Sequence, residues 1–174
     1  MRRVFLVAAV FSVVLVAVAG AASASSSLTA TFTIHFPQGH PASNAPCAPD
    51  TFCGVGTVAG YGAATITILD ETFDEIAGSP CFAVTRVEEI DLLDAPGSLV
   101  LESSGTFCRP GGSGDSNAGS SSYGSPGRWN LAFTVVGAES TGAFQGASGG
   151  GAETMGANGG VGVWHLDGVA NAGS

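Results

Sequence analysis

The chain contains no lysine, and its five basic residues are all arginines: Arg2, Arg3, Arg86, Arg109 and Arg128. A protein that grips phosphate backbones needs clustered cations to release counterions. Nucleic acid binding is therefore excluded as a function class, and adhesion to an anionic membrane surface is disfavoured on the same ground. Other absences narrow the chemistry further. No C-x-x-C redox pair occurs, the Cys47-to-Cys53 spacing is wider than the close pair of zinc ribbons, and His35, His40 and His165 share no ligand-pair spacing on one element. No metal site and no cofactor are expected. No N-x-S/T sequon occurs. After residue 25 no apolar period of helical type persists over a dozen residues, which leaves strands as the building material.

The first 24 residues are different in kind. Arg2 and Arg3 precede an apolar run from Val4 to Val18, and Ala22-Ser23-Ala24 places small residues where a signal peptidase cuts. The run is shorter than the roughly 20 residues a membrane-spanning helix needs, so residues 1–24 read as a secretory signal peptide and the rest as a secreted chain. No cysteine follows the cut, which argues against a lipid anchor. The remaining 150 residues, 25–174, suit one domain with its own core. Three arginines against 14 acidic residues leave that domain a formal charge of −11, a source of solubility. A cationic ligand or divalent metal is compatible with this charge but not required by it.

Glycine, at 27 residues, punctuates short β-branched and aromatic runs. This pattern predicts an all-β sandwich or barrel, with strands at 28–36, 55–70, 81–93, 98–108, 129–136 and 161–170. A glycine-interrupted strand, or a pair of them, is expected within 140–156. Residues 37–53 read as a loop. Residues 109–128 hold almost no apolar side chains and cannot offset the entropy of ordering, so they read as a flexible Gly/Ser-rich loop; a ligand-gating lid is the functional alternative.

The best-defined piece is a hairpin turning at Asp94-Ala95-Pro96-Gly97. With Cys81 opposite Cys108, one face collects Phe82, Val84, Ile90, Leu92, Leu99, Leu101 and Phe107. The other collects Thr85, Glu89, Asp91, Ser98, Glu102, Ser104 and Thr106. Such separation is what a sheet over a core demands, although a shift of two residues preserves it. Four cysteines allow three pairings; direct opposition across the hairpin favours Cys81–Cys108, with Cys47–Cys53 closing a short loop.

Few residues offer chemistry, and no catalytic residue is assigned. Gly146-Ala147-Ser148-Gly149-Gly150 matches a nucleophile elbow, with Glu153 and His165 following in order, but it lacks the strand–turn–helix context that gives the motif meaning. Asp70, Glu71, Asp74 and Glu75 read as a solvated strand end. Tyr61, Trp129, Phe133, Phe144 and Trp164 could stack on a ligand, although aromatics on strands are more often core. Arg86 and Glu88 stand out because they fall on the apolar face of the hairpin, where charge is costly unless paired. Two readings stand: an ion pair near a barrel mouth, or polar groups that orient a ligand in an internal cavity.

The segment Ser140–Glu153 (STGAFQGASGGGAE) resembles the G-T-G-x-F-x-G-A-x-G-x-G stretch of bacterial secreted proteins similar to the allene oxide cyclase and dirigent barrels. Ser140 replaces the usual glycine; Thr141-Gly142, Phe144, Gly146-Ala147 and Gly149 match. Residues 162–169 look like the closing strand of those proteins. The resemblance implies a single antiparallel eight-stranded barrel with a central cavity and allows homo-oligomers; it transfers no catalytic residue. The expected function is a secreted, non-enzymatic barrel that binds a small apolar or amphipathic ligand or acts as an extracellular interaction module. A barrel isomerase or cyclase acting on a hydrophobic substrate, and a purely structural surface protein, are the alternatives.

Overall fold

The computed structural model describes residues 25–35, 53–109, 127–158 and 161–173. The expected signal peptide, Cys47, and most of the two expected loops, 36–52 and 110–126, lie outside these residues.

Eight antiparallel strands form a closed barrel in chain order. They are β1 (Ser25–His35), β2 (Cys53–Val58), β3 (Gly62–Glu75), β4 (Cys81–Leu92), β5 (Ser98–Cys108), β6 (Gly127–Val135), β7 (Ser148–Asn158) and β8 (Val161–Asn171). Closure runs along β1 and β8, from Ser25 opposite Asn171 to His35 opposite Val161. The all-β expectation holds. The 55–70 stretch is corrected: it is two strands, because Gly60 and Gly62 adopt φ of 82° and 91° and reverse the chain at Ala59–Tyr61. Only glycine enters that backbone region without strain. Within 140–156 the regular strand begins at Ser148, after a 3₁₀ turn at Gly142–Phe144.

The hairpin register is the expected one, with Cys81 opposite Cys108, Glu88 opposite Leu101 and Ile90 opposite Leu99. Cys81 and Cys108 are joined in a disulfide. This is the one complete disulfide among the described residues. Cys53 is not a free thiol, while its expected partner lies outside them. Ser98, placed by alternation on the polar face, is buried instead. Its N–H and hydroxyl meet Thr141 Oγ1 at 2.9 and 3.1 Å, so the corner between β6 and β7 covers it.

That corner is the segment 140–147, and it closes one end of the barrel. Ser140 Oγ accepts from the Val100 N–H at 3.0 Å and donates to the Val136 carbonyl at 2.9 Å. The serine thus supplies two bonds that a glycine could not. Phe144 is buried, with its ring 4.8 Å from that of Tyr61.

Inward faces of all eight strands converge on one axis and fill it. Phe32, Phe107, Trp129, Trp164, Leu28, Ile66, Ile90 and Leu166 are fully buried there. Small residues make room for large ones across the barrel wall, as small barrels require. Phe133 on β6 stands opposite Gly151 on β7, which stands opposite Gly168 on β8, and the ring of Phe133 occupies the space above Gly168.

Candidate functional site

A charged cluster lies inside this core. Arg86 and Glu88 sit two residues apart on the inward face of β4, mid-strand rather than at a mouth, and are 3% and 0% exposed. The barrel brings two more carboxylates to them: Glu71 from β3, the register partner of Arg86, and Glu153 from β7, 0% exposed. Ser103, opposite Arg86 on β5, completes the cluster.

The guanidinium holds all three carboxylates. Its Nε donates to Glu71 Oε1 at 2.9 Å and its Nη2 is ion-paired to the same oxygen. Nη1 donates to Glu153 Oε1 at 3.2 Å and to Glu88 Oε1 at 3.4 Å. Its carbon lies 4.9 Å from the ring centre of Trp164 on β8, close enough for a cation–π contact. Ser103 Oγ donates to Glu153 Oε2 at 2.8 Å and stands 3.4 Å from Glu88 Oε2. A hydroxyl has one proton to give. The shorter contact takes it, and the longer one is satisfied when Glu88 itself is protonated.

The electrostatics agree with that proton count. One cation cannot neutralise three buried carboxylates. Burial first, and then the charge of Glu153, raise Glu88 well above the usual carboxylate range, against the opposing pull of Arg86. Burial also raises Glu153, with Arg86 and the Ser103 hydroxyl pulling it down. Desolvation acts to lower Arg86, but Glu71, Glu88 and Glu153 together hold it above its ordinary value and charged. Burial and the nearness of the two carboxyls thus favour a shared proton on the Glu88–Glu153 pair, while Arg86 opposes it.

A linkage consequence follows. Unfolded, both glutamates titrate near 4.3; folded, they bind protons more tightly. Their contribution to stability is full below the unfolded value and is lost as pH rises through the raised folded values. Glu88→Gln keeps a neutral hydrogen-bonding group in place and removes the titration. The stability of the wild type should fall relative to that of Glu88→Gln as pH rises above about 4.3, with a limiting slope of about 1.4 kcal/mol per pH unit for one proton. Parallel pH profiles of the two proteins would show that Glu88 holds no proton.

Of the residues singled out in the sequence, Arg86 and Glu88 do come together, and both glutamates left out of the pairing join them. Glu71 is corrected from a solvated strand end to a buried ion-pair partner. Its side chain turns inward because the β3–β4 register shifts between Ile68 and Asp70, leaving Leu69 as an extra residue, 54% exposed. Glu153 could have been found, since it shares its face of β7 with Met155. Ser103 could also have been found, as the expected register already set it opposite Arg86. Ser148, Glu153 and His165 form no triad: Ser148 opens β7, Glu153 is sealed inside, and His165 Nδ1 lies 3.1 Å from Thr31 Oγ1 on the outer wall. Trp129, Phe133, Phe144 and Trp164 are core.

The outer wall carries its own concavity, a depression of about 420 Å³ over β3–β6. Its lining includes Thr85, Ser104, Ala132 and Thr134 and also reaches Arg86 and Ser103 of the charge cluster. Among the described residues no group of three His, Cys, Asp or Glu side chains is placed to hold a metal ion. Compared with protein-family models, with curated proteins and with solved structures, the chain matches none.

Proposed function

We propose that the protein is an exported, non-catalytic barrel that acts as an extracellular interaction module, meeting its partner with its outer surface while the interior serves packing. The observation that carries this reading is the sealing of the charge cluster. Glu88 and Glu153 are 0% exposed, so no water-sized void touches either carboxyl, and a ligand at that level would have to displace Trp164 or Phe133. A binding barrel normally keeps an open cavity of several hundred Å³ lined by apolar groups with a few polar ones. Here the described depression is on the outside and polar. Export is supported by the Cys81–Cys108 disulfide, a bond that persists in oxidising compartments, and by the N-terminal sequence pattern. The eight-stranded meander and the corner built from residues 140–147 support kinship with the allene oxide cyclase and dirigent barrels.

Native mass spectrometry of the disulfide-bonded chain, recovered from the medium into which it is secreted, tests the reading. The expected spectrum is the polypeptide mass, or a multiple of it, without a small-molecule adduct. A stoichiometric adduct released on unfolding would replace this reading with that of an apolar-ligand barrel. One observation favours an enzymatic second reading: Glu88 and Glu153 lie beside Ser103 and Arg86 in surroundings that raise both carboxyls above their ordinary range, as a general acid requires. A turnover lost in Glu88→Gln and kept in an outer-wall variant such as Thr85→Ala would select it.

A further inference from the structure

The irregularity that sends Glu71 into the core has the opposite effect one residue earlier. With Leu69 as the extra residue, Asp70 falls opposite Val87 and faces outward, where it is exposed. Bulges commonly re-aim a side chain beside a functional surface. Here the re-aimed carboxylate lines the outer depression of about 420 Å³. Its row continues across the wall from Val87 to Glu102 on β5 and Thr134 on β6. The neighbouring row holds Thr85, Ser104 and Ala132. Ser104 and Ala132 are the short side chains of the two rows, and the wall is hollow beside them.

What the hollow can hold follows from its charges. Its lining reaches one cation, Arg86, which is 3% exposed and held by Glu71, Glu88 and Glu153. No positive group is left for an anion. Asp70 and Glu102 are both exposed, and neither makes an ion pair among the described residues. Asp74 and Glu75 are exposed too but lie outside the depression, so charge alone does not mark the place. The two lining carboxylates stand two strands apart, about 10 Å at the usual strand spacing. Side chains project roughly perpendicular to a sheet, and the convex wall of a barrel spreads them further. One ammonium therefore meets one carboxylate, and two carboxylates call for two ammonium groups on a short chain. Between them lie the half-buried Val87 and the methyl groups of Thr85 and Thr134, which suit methylenes. The hydroxyls of Thr85, Ser104 and Thr134 can accept the N–H groups that an ammonium has left over. A bare metal ion lacks a third ligand there.

We infer that the outer depression binds a short aliphatic diamine, with one ammonium on Asp70, the other on Glu102 and the methylene chain across Val87. The site goes beyond the interaction role proposed above and stands whether or not the interior admits a ligand. Exposed ion pairs are weak, so this complex exchanges fast and leaves no adduct in a native mass spectrum of dialysed protein.

Putrescine is the probe, titrated into the full disulfide-bonded chain at constant ionic strength and followed by NMR at the methyl groups of Val87, Thr85 and Thr134. The expected result is saturable movement of these signals, with a dissociation constant on the order of 1 mM. Butylamine, the same chain with one ammonium, should bind about fivefold more weakly. Asp70→Asn and Glu102→Gln should each weaken putrescine by about the same factor and bind the two amines alike. Both carboxylates are exposed and unpaired, so these variants keep the fold. Glu75→Gln removes the same charge outside the depression and should bind putrescine as the wild type does. The inference is overturned by methyl signals that do not move, by equal wild-type affinities for the two amines, or by full affinity in Asp70→Asn or Glu102→Gln. A loss in Glu75→Gln as large as theirs would also overturn it, since the response would then be to net charge.

Discussion

Replacing Arg86 with methionine should lower the unfolding free energy by about 3–5 kcal/mol, the usual penalty for removing one partner of a buried ionic cluster. Methionine keeps much of the stem that packs near Trp164, so the loss reports the charge more than the volume. Without the guanidinium, Glu71, Glu88 and Glu153 face one another with no cation. Each must either stay ionised without a counter-charge or take a proton. The penalty should therefore be largest at alkaline pH and shrink below about pH 4.5, where the unfolded carboxylates are protonated as well. Adding Glu88→Gln and Glu153→Gln to the variant should recover part of the loss, because the remaining burden is then hydrogen bonding rather than charge. Urea unfolding midpoints of the three proteins at two pH values measure this directly. A single variant with a wild-type midpoint would falsify the placement of Arg86 at the centre of the cluster.

Gly151→Val should be nearly as damaging. A Cβ at Gly151 would run into the Asp167 carbonyl and the Gly168 Cα, which are backbone atoms that no rotamer change can move. The pairing of β7 with β8 would have to open, and overpacking of this kind costs about 1–3 kcal/mol, here at the upper end because backbone must move. Trimming Phe133 to alanine should not rescue it, since the collision is with the β8 main chain. Gly156, five residues along the same strand, is the internal control. A Cβ there meets nothing within 4 Å, so Gly156→Val should change stability by no more than about 0.5 kcal/mol and keep the fold. Thermal melts of the two variants separate a glycine that sets the spacing of the wall from one that does not. Equal melting temperatures would remove the close approach of β7 and β8 from the account.

The register of the β4–β5 hairpin was legible because two cysteines, a turn and two opposed faces point to it, although the burial of Ser98 under the 140–147 corner was not. The charge cluster was legible only in half. Arg86 and Glu88 betrayed themselves as charges on an apolar face, and that face is fixed by simple alternation. Glu71 lies beyond the extra residue Leu69. Counting by twos from Ile66 and Ile68 turns Asp70 inward and Glu71 outward, and the register shift inverts both assignments. A bulge leaves no mark in the apolar pattern of a strand that carries four carboxylates within six residues. The separation of β2 from β3 was hidden for a related reason. Gly54 and Gly56 occupy inward-facing positions of β2 where a side chain would have announced a face. Closure was not readable from any one strand; it entered only through the resemblance of residues 140–153 to known barrels. The filling of the interior follows from that closure, since Phe32, Trp129 and Trp164 reach the same axis only once β8 meets β1.

That last seam also sets the order in which the molecule can be made. Every other strand pair joins neighbours in the chain, whereas β1 and β8 stand at opposite ends of it. Closing so long a loop carries a larger entropic cost than any hairpin, and contacts of such sequence separation slow folding. Until Val161–Asn171 has joined the sheet, Ser25–His35 and the last strand formed each present an open edge able to pair with another chain. The seam that completes the core is therefore also the step that ends the chain's exposure to aggregation, and it becomes available only after Val161–Asn171 has been synthesised.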